Sequence, residues 1–488
     1  MKFASKLLNK LKCLTMIVLV STVVSCDSWL DLGSEDRIME NTLFSSQAGF
    51  MTALNGVYIE LNTNELYGRN LTAGALDVMG QYYSVASSSH AFYNYGGLVY
   101  TGNDEKALFD NMWQKCYAVI ACCNTIIEKC DENKAGLSPV WRGSIKGEAL
   151  ALRAMLHFDM LRLFGPLTSE LDKESIPYQT NSDQTVTPLL SGSEVVGLIL
   201  DDLKNAVGLL KDTDPYFVEE EFSDTDLNYR RFRMNYFAAK GLMARVQLWG
   251  GDKEKAAATA KEVIAEGQAE GAEFFPFVTN SEATSSNPDR VFYSEVLFGT
   301  YHSSREKLHE DLFAPTLEST SILTLAGTAR RDDLYDNEND YRYSVWSTYN
   351  KNGTSVLYHR KFEKQDNVTA SRQYMIPLIR MSEMYLIAVE CCKLDEASVY
   401  LNTFRNARNC NSLALTEDNR INILANEYKK EMLGEGQLFF FYKRQEMVNI
   451  PDGNQATGTK NVELAKYVVP LPESETDQRI SSTDISNE

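Results

Sequence analysis

The chain has 488 residues, 44% of them hydrophobic, and a formal charge of −19. That length and apolar content exclude a disordered chain and suffice for two or three cores of ordinary size. So acidic a surface repels phosphate backbones and anionic lipid heads, which argues against nucleic acid as a partner and against membrane attachment through basic charge.

The chain opens with Lys2, Lys6, Lys10 and Lys12, then an apolar run from Cys13 to Val24 broken only by Thr15, Ser21 and Thr22. A spanning helix needs about 20 apolar residues, whereas a run of about a dozen has the length of a secretory h-region. The plain reading is a cleaved signal peptide, residues 1–25, with Cys26 incidental. The sharper reading is that Val23-Val24-Ser25-Cys26 resembles the lipobox of bacterial lipoproteins, although Leu is commoner where Val23 stands. That resemblance implies that Cys26 becomes the acylated first residue of the mature protein and its anchor in membrane lipid. Without the four lysines the remaining 463 residues carry −23.

Residues 40–62 set Phe50, Leu54, Val57, Tyr58 and Leu61 on one stripe and predict a helix. Residues 63–104, rich in Gly, Ser, Asn and Tyr, predict loops. Residues 105–131 predict a strong helix, with Leu108, Met112, Cys116, Ile120, Cys123 and Ile127 in register. Residues 140–164 predict another, stopped by Gly165-Pro166. After an irregular stretch, 191–211, 231–249 and 252–267 predict further helices. From about 272 to 372 the pattern breaks into Asn, Ser, Asp, Gly and Tyr with short apolar runs. Helices return at 380–391, 395–408 and 417–434, and the chain closes on a short strand, Tyr467 to Leu471, and a polar tail. In MARVQLWGGDKEKAAATAKEVI, Ala244, Gly251 and Ala256 let two helices cross closely, as in a tetratricopeptide repeat. YLIAVECCKLDEASVYLNTFRNA is a second candidate, and such hairpins must stack to bury their faces.

Residues suited to catalysis do not gather. His90, His157, His302, His309 and His359 form no HxxxH or HExxH, and no GxSxG, Walker loop or GxGxxG occurs. His157 lies within a predicted helix and reads as a packed histidine. Seven cysteines follow Cys26, an odd number with no CxxC, so they read as small buried apolar groups and not as a metal or disulfide framework. Asp336, Glu338 and Asp340 alternate as oxygen ligands for calcium do, but without the glycine and distal glutamate of an EF-hand loop. No metal and no cofactor is expected. The irregular blocks instead carry aromatics. Tyr82, Tyr83, Tyr93 and Tyr95 stand in the first, and Trp346 and Tyr349 in the second. An aromatic face with a hydrogen-bonding rim suits a sugar ring and equally a peptide, so these six are the candidate ligand platform, with packing beneath their own loops as the alternative.

Four segments together resemble the SusD/RagB family of surface lipoproteins. They are CDSWLDL at 26–32, GEALALRAMLHFDMLRLFGPL at 147–167, IPLIRMSEMYLIAVE at 376–390 and EYKKEMLGEGQLFFFYKRQE at 427–446, the last followed by VVPLPESE. Glu435, Gly436 and Arg444 match the family pattern, whereas Leu438 stands where it has arginine and Phe441 where it has aspartate. The resemblance implies one mainly α domain over 26–488. Its tetratricopeptide-like scaffold would span about 40–62, 105–267 and 373–446, with the blocks 63–104 and 272–372 displayed as ligand-binding loops. It implies an outer-membrane, cell-surface protein, not an enzyme, that catches an oligosaccharide for a SusC-like TonB-dependent transporter. Capture of a peptide, or a helical scaffold without small ligand, are the alternatives.

Overall fold

A computed structural model describes residues 39–477 and 479, apart from 183–185, 272–273 and 336. The expected signal peptide, Cys26 and Asp336 lie outside the described residues.

The helices begin where the sequence offers caps. Ser46 accepts a hydrogen bond from Gly49 N–H at the head of α1 (Gln47–Leu61), whose buried side chains are Phe50, Leu54, Val57 and Leu61. α2 (Asn103–Glu132) ends at Asn133 in the left-handed region, φ 45°. α3 (Pro139–Phe164) starts with proline in its first turn and Ser138 accepting from Trp141 N–H. A capping box of Ser191 and Glu194 opens α4 (Gly192–Thr213). Asn235 caps α5 (Tyr236–Trp249) and Asp252 caps α6 (Lys253–Gly267). Later come α7 (Met381–Cys391), α8 (Leu394–Ala407), α9 (Arg420–Glu431) and α10 (Gln437–Arg444). From α2 to α8 each of these helices packs on the next, so the hairpins α5–α6 and α7–α8 join one continuous stack, as unaided helical repeats must.

The strands pair antiparallel, two by two: β1 (Glu174–Pro177) with β2 (Leu189–Ser191), β3 (Val296–Tyr301) with β6 (Met375–Arg380), β4 (Trp346–Lys351) with β5 (Thr354–His359), and β7 (Asn449–Pro451) with β8 (Thr459–Asn461). One contiguous core runs from Phe44 to Val469. α3 is its spine, with Leu152, Leu156, Met160 and Leu163 fully buried. Charges inside that spine are answered. Arg153 meets Asp202 at 2.6 and 2.7 Å, Asp159 accepts from Tyr67 Oη at 2.6 Å, and Glu148 pairs with Arg230. Removing one partner of such a pair costs far more than the pair contributes.

The structure corrects four expectations. Residues 63–104 are not a displayed loop block, for Leu66, Tyr67, Leu71, Leu76, Met79, Tyr82 and Tyr83 are buried in the common core. Their polar atoms find partners there, so the polar composition does not imply exposure. The block 272–372 likewise supplies Phe275, Phe298, Phe313 and Phe362 to the core. Tyr467–Leu471 is not a strand: a 3-10 turn at Leu464–Tyr467 leads into chain held by Val469 N–H to Leu163 O, 3.1 Å. The helix α10 is an addition. It begins at Gly436, φ 68°, where a Cβ would stand 2.3 Å from Leu71 O, so only glycine fits. On α10, Leu438 is buried, and Phe441 stacks on Tyr428 at 4.4 Å. The two departures from the family's charged pattern are thus absorbed as apolar packing.

Candidate ligand-binding surface

The two irregular blocks meet in space. Ser84 N–H donates to Thr324 O at 2.7 Å, Ala91 N–H to Thr320 O at 3.2 Å, and Thr324 Oγ1 to Leu357 O at 2.6 Å. These bonds tie residues 84–91 to the segment 320–324 and that segment to the β4–β5 hairpin. The hairpin turns on Asn352-Gly353, with φ 52° and 87°, the two consecutive positive φ values that a two-residue hairpin turn demands.

The pleat then sorts the hairpin's side chains. Trp346 pairs with His359 and Thr348 with Leu357 on one face, Ser347 with Tyr358, Tyr349 with Val356 and Lys351 with Thr354 on the other. The first face is buried at its Trp346 end and opens to solvent at Thr348: Trp346 is 5% exposed, edge-on to the His359 ring at 5.2 Å. The second faces outward, with Tyr349 at 44% exposure between half-buried Val356 and Tyr358. At its turn end Lys351 Nζ donates to Leu317 O at 2.9 Å and pairs with Glu318 at 3.0 Å, which fixes the neighbouring loop.

Four of the six candidate aromatics therefore offer no free face. Trp346, Tyr82, Tyr83 and Tyr95 are 5%, 3%, 1% and 5% exposed. Tyr82 Oη donates to Tyr428 O at 3.3 Å, Tyr83 Oη to Asp77 at 3.2 Å, and Tyr95 packs edge-on to Phe109 at 6.1 Å. Tyr349 and Tyr93 are the two that reach solvent, Tyr93 at 43%. A cleft of about 480 Å³ opens between the start of α2 and the chain at 469–473. Its apolar wall is Tyr100, Phe109, Pro470 and Pro472, and an ion pair of Lys106 with Glu473, 2.6 Å, lies on its edge. The cleft was not expected from the sequence, and Tyr358, an aromatic of the second block, stood outside the six candidates. The signal for Tyr358 was available in WSTYNKNGTSVLYH, where Asn-Gly between alternating residues marks a hairpin and assigns odd and even positions to opposite faces.

His157, Asp340 and most of the cysteines are packed side chains. His157 Nε2 accepts from Gln179 N–H at 3.0 Å, Nδ1 lies 3.0 Å from Arg153 O, and the ring stacks on Tyr178 at 4.0 Å. Burial lowers its pKa to about 3, so it stays neutral. Among the described residues no group of three or more His, Cys, Asp or Glu could hold a metal. Asp340 is buried against Arg342 at 2.7 Å. Cys116, Cys123, Cys130, Cys392 and Cys410 are buried, Cys391 is intermediate, and Cys122 departs from the expected packing by being exposed.

Comparison with known proteins accounts for this architecture. Residues 28–248 match a family described as starch-binding and associating with the outer membrane, and residues 287–480 match the SusD family. SusD-like protein P2 of Formosa agariphila is 22% identical over 519 aligned residues, covering 94% of this chain and 96% of that protein. A SusD-like carbohydrate binding protein from Bacteroides vulgatus superposes with a TM-score of 0.68 at 20% identity, over 88% of this chain and 96% of that one. A laminarin binding SusD-like protein does so with 0.64 at 18% identity, over 88% and 97%. With matches to both halves and this mainly helical fold, the chain belongs to the SusD/RagB family.

Proposed function

We propose that this is a cell-surface lipoprotein, anchored through acylated Cys26, that captures an oligosaccharide and delivers it to a SusC-like TonB-dependent transporter. The observation that carries the capture step is the outward face of the β4–β5 hairpin. There Tyr349, Val356 and Tyr358 form an aliphatic and aromatic strip with phenol groups, flanked on the same face by half-buried Ser347 and exposed Thr354. A sugar ring has an apolar CH face and a hydroxyl edge, and that strip offers a partner to each. Membership in a family described as starch-binding, and the likeness to a laminarin-binding protein, support a glycan over a peptide.

A binding panel of starch and laminarin oligosaccharides against peptides of similar length tests the ligand class. The expected result is saturable binding of a glycan, recovered unchanged in length; binding of peptides alone would overturn it. Cell fractionation tests the anchor. Cys26→Ala is expected to release the protein from the outer membrane or leave an unprocessed precursor. Unchanged partition with unchanged mass would remove the lipid anchor.

A further inference from the structure

Inside this acidic protein lies a small cavity whose wall mixes cations with apolar side chains such as Phe292 and Val345. Its volume is about 20 Å³, and its lining includes Arg290, Arg342, Lys361, Arg380 and Lys430, with Glu431 as the carboxylate among the described residues on its wall. All six are buried. Glu431 is already shared, for it pairs with Arg342 at 3.1 Å, with Arg408 at 2.7 Å and with Arg380, while Arg342 also meets Asp340 at 2.7 Å and Glu427 at 2.9 Å, and Lys430 meets Glu427 at 2.9 Å. Lys361 donates to Glu435 at 2.5 Å and to Leu433 O at 2.6 Å. Glu435 in turn meets Arg380 at 2.9 Å.

Arg290 is the group left short. Its Nη1 lies 3.2 Å from Glu363, a carboxylate bound more closely by Arg360 at 2.7 Å, and 3.3 Å from Arg360 O. Its Nε, shut away from solvent, has no hydrogen-bond partner among the described residues. Neighbouring Arg305 repeats the pattern: it is 1% exposed and its Nε is also unpartnered. Burial, then Arg360 for Arg290, and then Arg290 and Arg372 for Arg305, bring the two guanidinium pKa values down to about 10 and about 9. A buried cationic N–H without an acceptor is costly, and an anion supplies the acceptor.

We propose that this cavity is a binding site for one monatomic anion of the chloride class, held by Arg290 Nε and the surrounding cationic side chains. Size sets the class. A site needs about 10–15 Å³ to hold one water, so this room takes a single ion or water and excludes a carboxylate or sulfate. The bound ion would tie Arg290 to Lys361 beyond β5, to Arg380 of β6 and to Lys430 of α9, four parts of the chain far apart in sequence.

Crystals of the protein grown in bromide, measured at the bromine edge, test this directly. The expected result is one anomalous peak in the cavity. No peak, or density that refines as water, would overturn it. Thermal melts in sodium chloride and in sodium gluconate at equal ionic strength give a second readout. The wild type is expected to melt higher in chloride, by the mass-action stabilisation of a ligand bound only to the folded state. Arg290→Gln is expected to lose that difference. Equal melting of the wild type in both salts would contradict the site, and should the variant fail to fold, the bromide experiment on the wild type decides alone.

Discussion

Trp346 and Tyr349 are three positions apart on β4, and the pleat sends them to opposite sides. Trp346 fills the core beside His359, so Trp346→Ala is expected to cost about 3–5 kcal/mol, the usual penalty for emptying a large aromatic site. Urea unfolding measures it, and a loss under about 1 kcal/mol would place the indole at the surface. His157 gives a second expectation at this scale. Its folded pKa, about 3, lies below the unfolded value, about 6.5, so between those limits the unfolded chain binds the extra proton. Stability is therefore lost as pH falls through 6.5 toward 3. Between pH 6.5 and 4.5 this residue's share is about 2 kcal/mol. His157→Gln should narrow the drop in unfolding free energy over that interval by this amount. An unchanged drop would show that the ring is charged or exposed.

Among the elements, the telling contact joins residues 63–104 to the loop between α9 and α10. Asp77 accepts from Gly434 N–H at 2.6 Å and from Gly436 N–H at 2.9 Å, two glycines held at positive φ. Burial raises its pKa to about 7 against the opposing pull of those two amides. Asp77→Ala would orphan both donors at about 1–3 kcal/mol each, and hydrogen exchange should quicken at 434–438 before it does in α3. Exchange that quickens equally everywhere would deny Asp77 this local role. The sequence made the long helices legible because their apolar residues recur every three or four positions and their caps are explicit, as at Ser191-Glu194. It hid the block 63–104, because burial of Tyr67, Tyr82 and Tyr83 depends on acceptors on Asp159, Tyr428 and Asp77, which no local pattern displays. It also hid α10, whose start depends on the left-handed Gly436 lying against Leu71.

At the scale of the molecule, a helical stack carries two irregular blocks that are core on the inside and surface on the outside. The family resemblance read from four segments extends over nearly the whole chain and agrees with the fold. The ligand platform was legible only in part. Composition located the aromatic blocks, but which ring faces out is decided by strand register and by cross-chain hydrogen bonds, and this left Tyr349 and Tyr93 outside while Trp346, Tyr82, Tyr83 and Tyr95 went in. The central claim is that the outward hairpin face holds the glycan. Calorimetric titration of the best oligosaccharide from the panel into wild type and a Tyr349→Ala, Tyr358→Ala double variant tests it most directly. The account predicts at least about tenfold weaker binding, about 1.4 kcal/mol, with melting lowered by no more than a few degrees. Undiminished affinity in a well-folded double variant would contradict it.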